Sequence, residues 1–195
     1  AYEISACLVG SEMCIIDSHN PTGRLAPPGA AAAVWDEAFY PLATGRWTSG
    51  RADDGAIVLG SLTKLFACPG LRLGFVLTPT PALTRCLERR QPRWSVNGLA
   101  AETLPDLLAR ADLPGWAAEV ARLRARLVDL LRGHGFQPEP SDANYVLVPG
   151  AAGLRDRLAV HGVVIRDCES FGLADHVRIA VPSDAGRARL AGALS

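Results

Sequence analysis

Three unbroken apolar runs constrain this chain most: residues 13–16 (Met-Cys-Ile-Ile), 56–59 (Ala-Ile-Val-Leu) and 74–77 (Gly-Phe-Val-Leu). Each stops at residues that end strands: Asp17-Ser18-His19-Asn20-Pro21-Thr22-Gly23, then Gly60-Ser61, then Thr78-Pro79. A strand with one wet face would alternate apolar and polar residues. Unbroken runs suit strands covered on both faces, as in an α/β sheet. Such sheets bind ligands just beyond the ends of their strands, so the chemistry is to be sought in those loops.

After Pro114 the pattern changes. Trp116, Val120, Leu123, Leu127 and Leu130 recur every three or four positions, the stripe of an amphipathic helix. Pro114 suits its first turn and Gly133 its stop. Strands over 144–148, 163–166 and 176–181 and helices over 154–161 and 184–194 follow. The order predicts a small α+β domain, residues 113–195, after part of a large α/β domain, residues 1–112.

About half of the 195 residues are apolar, enough for a sizeable core. Twenty basic and twenty acidic side chains cancel, removing general attraction to nucleic acid or an anionic membrane. Cys7, Cys14, Cys68, Cys86 and Cys168 form no CxxC pair, and histidines are few. Buried reduced thiols are expected, with neither a disulfide framework nor a metal site. No apolar run approaches the roughly 20 residues that span a bilayer, and a cytoplasmic protein is expected.

Taken one at a time, the polar residues near the strand ends are ordinary. Lys64, the sole lysine, could be a surface charge; Asn20-Pro21-Thr22-Gly23 a plain turn; Asp36 an exposed acid; Arg166 and Arg178 solvent-facing strand residues. Arg85, Arg89, Arg90 and Arg93, around a helix expected over 82–90, read as a solvated face.

Taken together, the succession NPTG, DEAF, SLTKLFACPGLRLGF, NYVLV, VIRDCESFG and VRIAV resembles fold-type I aminotransferase-like enzymes. That resemblance implies pyridoxal 5'-phosphate as cofactor and a homodimer. Lys64 would be the imine-forming lysine, Asp36 the partner of the pyridine nitrogen and Asn20 the partner of the ring oxygen. Ser61 and Arg72 would hold the phosphate, for which a hydroxyl and a guanidinium fork are well matched. Arg166 and Arg178 would hold substrate anions, which fits a small phosphorylated amino-acid substrate. Where many relatives carry a tyrosine, three residues after the aspartate, this chain has Phe39. The segment Gln91-Pro92-Arg93-Trp94-Ser95-Val96-Asn97-Gly98-Leu99-Ala100 is similar to threonine-phosphate decarboxylases of cobalamin synthesis, which decarboxylate L-threonine O-3-phosphate. The alternatives are an aminotransferase of a phosphorylated amino compound such as histidinol phosphate, and a truncated non-catalytic relic or binding module.

The chain departs from that family in two places. The family's glycine-containing phosphate loop and stacking aromatic ring have no counterpart before Ala1. Only twelve residues separate Gly23 from Asp36, too few for a crossover helix plus a strand. An interruption around Gly29–Val34 is therefore expected, with a true deletion as the alternative.

Overall fold

The computed structural model describes residues 14–195; Cys7, and the start of the first predicted strand at Met13, lie outside them. Three short strands, β1 (Cys14–Ile16), β2 (Val34–Asp36) and β3 (Ile57–Ser61), pair in parallel and in register, and β4 (Gly74–Leu77) closes the sheet antiparallel to β3. Val58 and Trp35 are buried at its centre. At Gly60 the neighbouring Phe75 lies across the backbone, and a Cβ there would sit 2.1 Å from its ring. A larger residue at that position would have to displace the Phe75 ring.

Between β1 and β2 the expected crossover helix is absent. Residues 17–33 run without interruption as an irregular segment, so the predicted break around Gly29–Val34 is not found. A crossover needs length more than helicity, and the segment gets by with turns such as Ala30 N to Pro27 O at 3.1 Å. Its polar anchors are buried. The Asp17 Oδ1 accepts from Ala26 N at 3.0 Å. Glu37, 1% exposed, accepts from Ser49 N at 3.0 Å and from the Ser49 hydroxyl. Burial pushes both carboxyls above the usual range.

Helices α1 (Tyr40–Thr44), α2 (Leu62–Leu65), α3 (Pro81–Glu88) and α4 (Gly98–Ala109) flank this sheet. Sequence reasoning missed α4, whose internal Pro105 breaks the helical pattern. The basic α3 is solvent-facing as expected, with Arg90 donating to the Cys86 sulfur at 2.7 Å.

The long helix α5 (Leu113–Gly133) starts and stops where the sequence placed it. Asp112 caps it by accepting from Gly115 N at 3.0 Å, and Pro114 occupies its first turn. It touches two cores. Leu113 and Trp116 pack with Leu42, Leu62 and Ala100 of the first half. Leu127 and Leu131 lie under the second sheet with Val146, Val148, Val177 and Ile179.

That second sheet has the order β5 (Tyr145–Val148), β7 (Leu173–Ala180), β6 (Arg166–Cys168), all antiparallel, with α6 (Leu154–Ala159) and α7 (Asp184–Leu194) against it. The strand expected over 163–166 begins only at Arg166, since Val164 is exposed, and its partner starts three residues earlier than predicted. Cys168 is buried as expected, while Cys68 and Cys86 are only half-buried.

Candidate active site

The three parallel strands end on one side of their sheet. They deliver the 17–23 turn, Asp36 and Ser61 side by side, because Ile16 is opposite Asp36 and Asp36 opposite Leu59. Asp36 Oδ1 accepts from Ala38 N at 3.0 Å, which fixes the carboxylate as the chain leaves β2. Ser61 caps the single turn of α2, its hydroxyl accepting from Lys64 N at 3.4 Å.

Lys64 rises from that turn with its ammonium 4.1 Å above the centroid of Phe39. No carboxylate among the described residues forms an ion pair with it. Burial lowers its pKa, the Asp36 charge acts to raise it, and the Arg178 charge lowers it further. The net effect is downward, toward the neutral amine.

Arg72 is bound to this group through the backbone. Thr63 clamps Leu73 three ways: N to O at 3.0 Å, Oγ1 to O at 3.0 Å, and Leu73 N to Oγ1 at 2.9 Å. The clamp holds Arg72 in the left-handed region, φ +49, directly after the helical turn Pro69–Leu71. That conformation disfavours an L residue by about 1–2 kcal/mol, so the local structure over-determines it.

The second sheet brings the arginines. Arg178 donates to Asn20 Oδ1, which leaves the amide nitrogen of Asn20 pointing away from it. Its guanidinium lies 4.8 Å over the Tyr145 ring. Arg166 is directly opposite Arg178 across the β6–β7 pair, so both side chains project from the same face. The sequence had Arg166 ending a strand and Arg178 beginning one; Arg166 opens β6 and Arg178 lies late in β7. The antiparallel register still makes them neighbours. Arg166 rests 4.9 Å over Phe171 and donates to Ser170 at 3.4 Å. Burial lowers the pKa of Arg178, and the Arg166 charge adds to the effect.

Asn20, Asp36, Lys64 and Arg178 thus surround a Phe39–Tyr145 pair, whose rings meet edge to face at 5.1 Å. Ser61 and Arg72 flank it through α2, and Arg166 extends it outward. Sequence reasoning missed Tyr145, which looked like one more apolar residue of a strand. Its signal was a lone phenol in an otherwise aliphatic run. Ser18, fully buried after β1, was also passed over; its hydroxyl lies beside the Tyr145 phenol. Chemically the site offers one weakly basic amine, one carboxylate, an amide donor, a hydroxyl and three guanidinium groups. That donor set fits pyridoxal phosphate, with its aldehyde, ring nitrogen, phenolic oxygen and phosphate.

Residues 13–194 match the family model described as aminotransferase class I and II. The threonine-phosphate decarboxylase of Pseudomonas aeruginosa is 33% identical over 93% of this chain and 59% of its own length. Histidinol-phosphate aminotransferase 2 of Burkholderia pseudomallei is 34% identical over 90% of this chain and 54% of its own. Histidinol-phosphate aminotransferase of Sinorhizobium meliloti, solved with pyridoxal-5'-phosphate, superposes with a TM-score of 0.80 at 24% identity, covering 93% of this chain and 55% of that one. The chain therefore spans a little over half the length of these relatives. With the fold, the lysine turn and the family match in agreement, the chain belongs to the class I and II aminotransferases, a family that works with pyridoxal phosphate.

Proposed function

We propose that this chain carries the cofactor lysine, ring and anion contacts of a pyridoxal-phosphate enzyme that decarboxylates L-threonine O-3-phosphate, feeding the nucleotide-loop linker of cobalamin. The observation that carries the reading is the cross-strand pair Arg166–Arg178 beside Asn20 and Lys64. Two guanidinium groups on one face suit a substrate with both a carboxylate and a phosphate. The same pair also fits an aminotransferase, whose amino-group partner carries a carboxylate. The identity of 34% to histidinol-phosphate aminotransferase 2 supports that second reading, transamination of a phosphorylated amino compound.

When bound, the cofactor supplies the electron sink that lets a bond at the substrate's α-carbon break. The protein's part is electrostatic. Lys64, whose pKa is lowered by its burial, would be the amine that holds the cofactor's aldehyde. Asp36 would keep a proton on the ring nitrogen. Asn20, its oxygen already engaged by Arg178, would offer its NH₂ to the ring oxygen. Ser61 and Arg72 would hold the phosphate, and Arg178 with Arg166 would place the substrate anions. Phe39 contributes a hydrophobic face and no hydrogen bond. A cofactor-bearing unit, residues 1–112, and a small domain, residues 113–195, with α5 joining them, belong to the same proposal.

Borohydride reduction after mixing the protein with pyridoxal phosphate should label Lys64. Threonine phosphate should then release carbon dioxide. Labelling confined to the N-terminus would end the cofactor reading, and keto-acid formation without carbon dioxide would favour transamination.

A further inference from the structure

Tyr145 touches three of the segments that meet at the candidate site. Its hydroxyl donates to His19 O at 3.0 Å, in the turn that carries Asn20. Its ring meets Phe39, the residue beneath the Lys64 ammonium, and the Arg178 guanidinium lies over its face. The residue is 2% exposed and β5 is buried throughout, so the ring has one place to be.

Arg178 has much less to hold it. No carboxylate among the described residues pairs with it. Its cross-strand neighbours are Leu147 and the like-charged Arg166, and like charges placed opposite each other repel. What remains is the bond to Asn20 Oδ1 and the aromatic face of Tyr145, which attracts a cation through its quadrupole.

We propose that Tyr145 is a positioning residue for Arg178: its ring face holds the guanidinium against Asn20 and beside Lys64, and so sets where a substrate anion is bound. The inference rests on the reading of Arg178 as an anion-binding group, but its test requires neither cofactor nor substrate.

Lys64 is the only lysine, so protein grown on ¹³Cε-lysine shows a single lysine resonance. Its titration midpoint reports its burial and the two charged groups that bear on it, Asp36 and Arg178. Arg178→Gln should move that midpoint up. Tyr145→Met fills the space but has no aromatic face; it should move the midpoint up by about half a pH unit or more and add nothing in an Arg178→Gln background. Tyr145→Phe keeps the face and should leave the midpoint within about 0.2 units of wild type.

A Tyr145→Phe shift as large as that of Arg178→Gln would overturn the proposal. So would a Tyr145→Met shift that persists in full without Arg178, since Tyr145 would then act by packing alone. If Tyr145→Met does not fold, the near-isosteric Tyr145→Phe still decides against Arg178→Gln. Failure of borohydride labelling with these shifts intact would remove the cofactor reading and leave the positioning role standing.

Discussion

Lys64 and Asp36 act on each other through charge, and the sign of that coupling can be measured. Because the Lys64 pKa lies below the ordinary 10.5, capture of pyridoxal phosphate should rise with pH and reach half its maximum below that value. Asp36→Asn removes the charge that raises the Lys64 pKa, so the midpoint should fall further. The same substitution should reduce turnover about a hundredfold, the usual effect of losing one preorganised electrostatic contact. Near-normal turnover would remove Asp36 from the mechanism. Glu37, one residue on, behaves oppositely. Burial raises its folded pKa above the ordinary 4.5, so the folded state holds the proton more tightly than the unfolded one. Its stabilising contribution is complete below pH 4.5 and is lost as pH rises through the folded value. Urea unfolding of wild type and Glu37→Gln across that range should show the variant with the flatter pH dependence. Asp36, Lys64, Asn20, Ser61 and Arg72 were legible in the sequence because their motifs are local. Glu37 was not, because nothing in its neighbours shows that Ser49 folds back onto it.

At the scale of elements, the strands with unbroken apolar runs were legible from the runs and the turn residues that end them. Burial on both faces is not what the structure shows, however: β4 leaves Val76 and Leu77 exposed, and β1 is only half-buried. The long helix was legible because its stripe, its cap and its stop agree. The short α1 and the proline-containing α4 were not, since each owes its existence to tertiary contact rather than to periodicity. The edge of β6 was misplaced for a related reason: Val163 and Val164 have strand propensity, but the β6 ladder starts only at Arg166. Gly60 offers the cleanest test of the first sheet. Gly60→Ala forces the Phe75 ring off the strand, and should cost about 1–3 kcal/mol in urea unfolding. An unchanged midpoint would mean that the ring does not lie where the structure has it.

Across the whole molecule, the two sheets meet at one turn. Asp142 N and Ala143 N donate to Gly23 O at 2.8 and 3.1 Å, Leu25 N donates to Asp142 Oδ2 at 3.1 Å, and Tyr145 and Arg178 reach His19 and Asn20. Gly23 has φ +76, and a Cβ there would fall 2.1 Å from the Ser141 hydroxyl oxygen. Gly23→Ala should therefore destabilise by about 1–3 kcal/mol and weaken cofactor binding more than Gly29→Ala, whose Cβ would meet nothing. Comparable binding in the two variants would show that the turn tolerates movement. No single stretch of sequence announces this seam, because its two sides lie more than a hundred residues apart.

The distance along the chain has a consequence for how the molecule is made. His19 and Tyr145 are 126 positions apart, and Asn20 and Arg178 158. Closing loops of that length is among the slower steps of folding, since the entropy is lost before the contacts form. A ribosome synthesising the chain releases Asp36 and Lys64 well before Arg178. A nascent chain halted ahead of Leu173 would own its lysine and lack the arginine that orients Asn20. Cofactor capture by stalled chains of increasing length should then rise only once Arg178 has left the ribosome.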